Sequence, residues 1–514
     1  MASTTGYDYV VVGAGTAGCV LAARLTEDEN VRVLLIEAGA RDPLELMAVP
    51  GAWPELMGSS ADWGGLSVVQ ASTGSAIPTP RGRGLGGSSS INGLNFIRGH
   101  RSSYDVWPEQ GATGWGFDDL LPYMRRSERA RGHDPALRGM DGPLTVGPPP
   151  EPNPLVAACV DAAVETGHTR ADDISGGLET GFGWCDNNIA DGVRQSAADA
   201  YLRPVMDRAN LDVVTDALVL RLMVTDDRCR GVEYAKDGET RSVECAEEVV
   251  VTAGAIGSAQ LLLLSGIGPA DHLRAVGVDV VLDLPGVGAN LHDHPMSTLT
   301  YTVRRPVPRI MSNPPGEAMG MVRTGPGPAV PDLQILFASL PYRAPSLPGP
   351  DDGYTIAFSA VNPRSRGTVR LASAEPGTAP LVDPDYLGDG RDIETMATGL
   401  RAARRIGEAD ALSAWRDEEV LPGPGTTGGA AFREYLGKSL LVYYHYVGTC
   451  RIGPEGTTAV VDPRLRVRGV TGLRVADASV MPSIVNSNTN AAVYAIAERA
   501  AALIKEPTAT VAGD

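Results

Sequence analysis

The sequence predicts an α/β fold built from two sheet-based units, the second of mixed α+β character. A strand, glycine turn, helix and second strand open the chain at residues 7–37. Strand patterns at 332–340, 354–361 and 367–371, then a helical pattern at 393–408, suit a second unit built on a sheet. The length of 514 residues suits two or more folding units, or one large core with a second layer.

The opening unit reads element by element. Tyr9-Val10-Val11-Val12 is a strand, and Gly13-Ala14-Gly15-Thr16-Ala17-Gly18 turns it into a helix. Gly13 permits the tight turn, and Gly15 lets the backbone approach a pyrophosphate. Gly18 lets the helix pack close to the strand. The helix N-terminus, at Thr16 and Ala17, points free N–H groups at phosphates. Val33-Leu34-Leu35-Ile36 is the next strand and ends on Glu37, nineteen residues past Gly18. An acid there can accept hydrogen bonds from a ribose diol. The unit is therefore Rossmann-like and dinucleotide-binding. Glu37 does not separate NAD from FAD, since both carry an adenosine ribose.

Residues 38–80 are rich in Pro, Gly and Trp and read as loops. A second glycine cluster follows in residues 81–99, from Arg81 through Gly86, Gly87, Ser90, Asn92 and Gly93. So many small residues suit a backbone pressed against something flat. The apolar Leu94, Phe96 and Ile97 follow directly, which argues against a flexible linker. Residues 116–131 and 153–167 have helical spacing, and 211–224 and 246–252 read as strands. Ala253-Gly254-Ala255 leads into a helical run, Gln260 to Ser265, stopped by Gly266-Ile267-Gly268-Pro269. Residues 305–331 are Pro- and Gly-rich and are expected to be a loop, serving as a lid or substrate wall. Leu473 to Pro482 reads as a short strand into a turn. Asn488-Thr489-Asn490 then caps a final helix, with Val493, Ile496, Ala497, Ala500 and Leu503 on one face.

Bulk properties exclude several functions. There are 62 acids against 44 bases, a net charge of −18, which argues against nucleic acid or an anionic membrane as partner. No apolar run reaches the ~18 residues of a membrane span. The N-terminus lacks a basic region followed by an apolar one, so no signal peptide is expected. The six cysteines are scattered without a C-x-x-C pair, which points to reduced thiols in a cytoplasm.

Few residues can do acid–base chemistry. His100, His133, His168 and His272 lie in polar or loop-like surroundings and read as surface. His292-Asp293-His294 lacks further ligands at metal spacing, so no metal site is expected. His445 lies among strand-like and aromatic neighbours, Leu441 to Gly453. It reads either as an imidazole titrating near neutrality that takes a proton, or as a core histidine bonded to backbone.

Nearly all of residues 7–505 resembles the glucose-methanol-choline (GMC) flavin oxidoreductases. Four motifs carry the resemblance: Gly13–Gly18 with Glu37; Gly84–Gly93; Gly254-Ala255-Ile256-Gly257-Ser258 with Leu262 to Gly268; and His445 with Asn490. The resemblance implies FAD and an alcohol oxidised to an aldehyde or ketone by hydride transfer to flavin N5. O2 or another acceptor reoxidises the flavin. His445 would be the base and Asn490 would orient the alcohol oxygen. The backbone near Ser90–Asn92 would lie beside the flavin ring, with Gly86, Gly87 and Gly93 also binding the cofactor. Asp477 and Ala478 would lie near the ribityl and pyrophosphate, and Val219 by the adenine. The final helix, from Asn488, would aim its dipole at the charge of the reduced flavin. Ile91 stands where some relatives attach FAD through a histidine, so attachment is expected to be non-covalent. Ala318 and Leu336 align with an acid and a histidine of choline-oxidising relatives, which speaks against choline. The implied division is an FAD-binding domain of residues 1–300 and 440–510, with loop insertions at 38–80 and 101–190, and a substrate domain of 301–439. Hydroxynitrile lyases and photodecarboxylases share the fold and are the alternative activities.

Overall fold

The computed structural model describes residues 6–41, 44–177, 180–325 and 330–506. Two seven-stranded sheets carry the architecture. In the first, strands Leu211–Val214, Val33–Ile36, Tyr7–Val12 and the end of Glu239–Val251 run parallel, and Leu473–Val475 adds a parallel strand to the last. Val33–Ile36 is buried on both faces, as a continuous apolar run of a parallel sheet must be. Strands Leu218–Thr225 and Arg228–Lys236 extend this sheet as an antiparallel meander off the first half of Glu239–Val251.

Small residues let helix Thr16–Leu25 lie close on this sheet. A Cβ on Gly18 would stand 1.9 Å from the Gly13 carbonyl oxygen, so only glycine fits. The Thr252 hydroxyl donates to the carbonyls of Val12 (2.9 Å) and Gly13 (2.7 Å), pinning the ends of two parallel strands together. The final helix, Asn490–Lys505, packs against the first. Arg24 holds the buried Glu498 at 2.7 Å, and the Tyr201 hydroxyl donates to the same carboxylate at 2.8 Å.

The second sheet is antiparallel. Its order is Arg416–Leu421, Pro295–Val303, Tyr354–Ala360, Leu333–Ala338, Gly316–Val322 and Gly181–Trp184, with Leu441–Val442 also pairing on Pro295–Val303. Helices Pro154–Glu165 and Gly390–Glu408 cover one face and bury a second core, which includes Phe182, Phe337, Phe358 and Leu400. Asn153 and Asp389 cap these helices through their side chains. The other face turns toward the first sheet.

Several expectations need correction. Residues 211–224 are two strands, because Asp216 turns left-handed (φ 53°) between them. They lie at opposite edges of the sheet. The 305–331 segment is not one loop: it contains strand Gly316–Val322, while residues 326–329 lie outside the described residues. Its Pro315 and Gly316 do wall the cavity described below. The helix expected over 260–265 begins earlier, at Gly254. The four histidines read as surface are half-buried. His133 faces Asp186 and Asp173, His272 accepts from the Leu371 amide, His100 meets Ser102, and His168 packs on Phe182.

Candidate active site

A cavity of about 800 Å³ runs between the sheets, from the glycine turn after the first strand to the segment before strand Leu473–Val475. At one end, Gly13, Gly15, Thr16, Ala17, Glu37 and Val219 line it. A Cβ on Gly15 would meet nothing closer than the Thr252 carbonyl oxygen at 3.9 Å, so the turn is open toward the cavity. Neither Gly15, capping the first helix, nor Thr489, capping the last, makes a side-chain capping bond. Both helices thus offer uncommitted backbone N–H groups and a positive dipole end to one space. Among the described residues the Asn488 Oδ1 is a buried acceptor without a partner. An extended group with a central anion and a hydrogen-bonding ring fits such a wall.

Glu37 does more than the sequence suggested. Its Oε2 accepts the Ala14 amide (2.8 Å), and Oε1 accepts the amides of Gly39 (2.8 Å) and Gly84 (3.0 Å). Burial pushes this carboxyl up, and the three amides pull it back. It ties the second glycine cluster to the first strand's turn and keeps a lone pair for a ribose. Asp477 is similarly engaged: it accepts from the Gly254 amide, the Ser258 hydroxyl and the Ser479 amide.

His445 and Asn490 also line the cavity. The Asn490 Oδ1 accepts from the Thr16 hydroxyl at 2.8 Å, across 474 residues of chain. The amide also neighbours the Tyr494 hydroxyl. The His445 ring stacks on Tyr443, with centroids 5.3 Å apart and planes 9° apart. Its Nδ1 lies 3.0 Å from the Nδ1 of the fully buried His294. Burial, reinforced by His294, holds His445 well below the usual histidine range, and burial does the same to His294. Asp293 supports both rings. Its Oδ1 accepts the backbone N–H of His445 (2.7 Å) and of His294 (2.8 Å), and its Oδ2 accepts the Tyr386 hydroxyl (2.5 Å). Burial raises the Asp293 carboxyl to about 7.

Of the residues singled out from sequence, Gly87, Asn92, Gly93, Asp477, Ala478 and Asn488 also line the cavity. Gly18, Gly86 and Ser90 stand one layer behind it. Gly86 is left-handed (φ 88°) and donates to the Ala14 carbonyl, and Ser90 donates to the Leu85 carbonyl. Leu336 lines the cavity, whereas Ala318 packs into the second core and Gly316 takes the cavity-facing place. Sequence reasoning missed Asp293 and His294, which it weighed only as metal ligands. Among the described residues no group of three or more His, Cys, Asp or Glu side chains could hold a metal.

A dinucleotide cavity that ends at a neutral imidazole and an anchored amide defines a cofactor-dependent oxidoreductase. Comparison with known proteins gives the family. Residues 7–296 and 363–497 match the two family models described as GMC oxidoreductase. The chain belongs to the GMC oxidoreductase family. It is similar to human mitochondrial choline dehydrogenase, 38% identical over 537 residues that cover 97% of this chain and 90% of that one. Pyridoxine 4-oxidase from Mesorbium loti superposes with a TM-score of 0.93 at 37% identity, over 97% of this chain and 99% of that one. A formate oxidase variant from Aspergillus oryzae, studied for FAD modification, superposes with a TM-score of 0.91 at 26% identity, over 98% and 99%. The protein is an FAD-dependent enzyme that oxidises CH–OH donors. Among the described residues, no helix is long and apolar enough to cross a membrane.

Proposed function

We propose that this enzyme oxidises an uncharged primary alcohol, with His445 as base and Asn490 as the group that orients the alcohol oxygen. FAD, when bound, supplies the hydride acceptor at flavin N5. The observation that carries the reading is the pair of restraints on the cavity: His445 fixed by His294 and Asp293, and Asn490 fixed by Thr16. The 3.0 Å Nδ1–Nδ1 contact needs one ring to donate and the other to accept, and we assign that proton to His445. The His294 Nδ1 is then the acceptor, and His445 donates from Nδ1. That tautomer leaves the His445 Nε2 lone pair free to take the hydroxyl proton. Asn490 donates from Nδ2 to the same oxygen and holds its lone pairs in register as the carbon–hydrogen bond weakens.

The wall near His445 sets the substrate class. Trp53, Met296, Leu336, Leu340 and Tyr342 are apolar or aromatic. The only acids in the cavity wall among the described residues are Glu37 and Asp477, both committed to other donors. A desolvated cation there would lack a counter-charge. Cation–π contact offsets only about 2 kcal/mol of that cost. Ile91 in the wall beside Asn92 supports non-covalent FAD, and either O2 or another acceptor completes the cycle. All six cysteines are unpaired, which supports a reducing, cytoplasmic setting. We assign FAD binding to residues 1–300 and 440–510 and substrate binding to 301–439, with strands Gly181–Trp184, Pro295–Val303 and Leu441–Val442 and helix Pro154–Glu165 joining the substrate sheet. The test is anaerobic flavin bleaching by benzyl alcohol and by choline at equal concentration. Benzyl alcohol should bleach faster; faster bleaching by choline would overturn the substrate class.

A further inference from the structure

Among the described residues, Arg81 is the only lysine or arginine in the cavity wall. Its guanidinium enters no ion pair and makes no hydrogen bond among those residues, and its Nε is buried without a partner. The nearest contact of note is the Trp63 ring, 5.8 Å from centroid to guanidinium. Asp62 is close in sequence but already used: it accepts the backbone amides of Arg81 (2.8 Å), Gly64 (3.1 Å) and Gly58 (2.9 Å). Burial lowers the guanidinium pKa, with Tyr446 and Asp62 drawing it back. A half-buried guanidinium whose Nε lacks a partner among the described residues is costly, and an anion that arrives with a ligand would offset that cost.

A Cβ on Gly82 would stand 2.1 Å from the Gly87 carbonyl oxygen. A Cβ on Gly87 would stand 2.7 Å from the Gly15 Cα. The 81–88 segment therefore lies flat against the dinucleotide turn, and the Arg81 guanidinium stands at the cavity wall beside Trp63 and Gly65. The two helix N-termini supply only about half a charge each. The chain as a whole carries −18, and Glu37 and Asp477 add two carboxylates to the same wall. A dianion entering this cavity needs a full positive charge.

We propose that Arg81 is the counter-charge of the FAD diphosphate, closing over it from the side opposite the glycine turn. A bidentate guanidinium–phosphate contact suits its fork of donors. The test uses holoenzyme. FAD release into excess buffer is followed by the rise in flavin fluorescence, for wild type, Arg81→Met and Arg81→Lys, at 0.05 and 1 M NaCl. Arg81→Met should release FAD about ten- to hundredfold faster at low salt. Arg81→Lys should stay within a few-fold of wild type. Salt should speed release from wild type and from Arg81→Lys, and have little effect on Arg81→Met. Release from Arg81→Met at the wild-type rate would overturn the proposal. So would a wild-type rate that ignores salt, a readout that stands even where Arg81→Met does not fold. A third contrary result is unchanged FAD release together with a raised KM for 4-carboxybenzyl alcohol and not for benzyl alcohol. That outcome would assign the cation to substrate. FAD release is read without turnover, so it is independent of which alcohol is oxidised.

Discussion

Replacing Asp293 with asparagine should invert the order of stability between acid and alkaline pH. Burial raises the folded-state carboxyl from 3.8 to about 7. A carboxyl with a raised folded pKa contributes stability that is fully present below the unfolded value and is lost as pH rises through the folded one. The window here is therefore pH 4 to 7. Three pKa units correspond to about 4 kcal/mol lost by pH 8. The replacement amide would not titrate. Its Oδ1 would still accept the amides of His445 and His294, and it would give up the acceptor for Tyr386, worth about 1 kcal/mol. Asp293→Asn should thus be about 1 kcal/mol less stable than wild type below pH 4, match it at about pH 4.5 and be about 3 kcal/mol more stable at pH 8. Urea midpoints of the two holoenzymes between pH 4 and 8 measure this. Glu317, also raised by burial to about 7, titrates in both proteins and cancels. A stability difference that is constant with pH, or that grows in favour of wild type as pH rises, would refute the reasoning.

Two further outcomes follow from the glycine turn and the final helix. Gly18→Ala places a Cβ 1.9 Å from the Gly13 carbonyl oxygen, so the helix must back away from the strand; purified protein should carry little FAD, and an absorbance ratio showing full flavin content would contradict this. Thr16→Val keeps the side-chain shape and removes the donor to Asn490 Oδ1; FAD content should hold while flavin reduction slows about tenfold, and an unchanged reduction rate would show that Thr16 does not position the amide.

The nucleotide end was legible because its signals are local. Strand, turn glycines, helix and acid fall within 31 residues, and each has a steric reason to be what it is. Gly18 is the clearest case, since the added Cβ collides as the motif requires. Strand Gly316–Val322 was hidden. Its Gly-Glu-Ala-Met-Gly start has no β-branched residue, and Gly320 is there because the Phe182 ring fills the place of a side chain, 2.4 Å from an added Cβ. The partner sheet, and not local propensity, makes it a strand. The break at Asp216 was hidden too, because an apolar run on both sides reads as one strand. Asp293 and His294 escaped for a third reason. Their partner His445 lies more than 150 residues away, and no short-range spacing reports such a contact. The proposed base, His445, was reached from sequence by resemblance. The groups that fix its tautomer and position required the fold.

The central claim is that His445 takes the alcohol proton as hydride leaves for the flavin. Anaerobic stopped-flow reduction of the bound flavin by benzyl alcohol tests it most directly, comparing wild type with His445→Ala at matched FAD content. The account predicts that wild-type flavin bleaches and that His445→Ala bleaches on the order of 10² to 10⁴ more slowly. Reduction of His445→Ala at the wild-type rate across pH would place the base elsewhere and contradict the account.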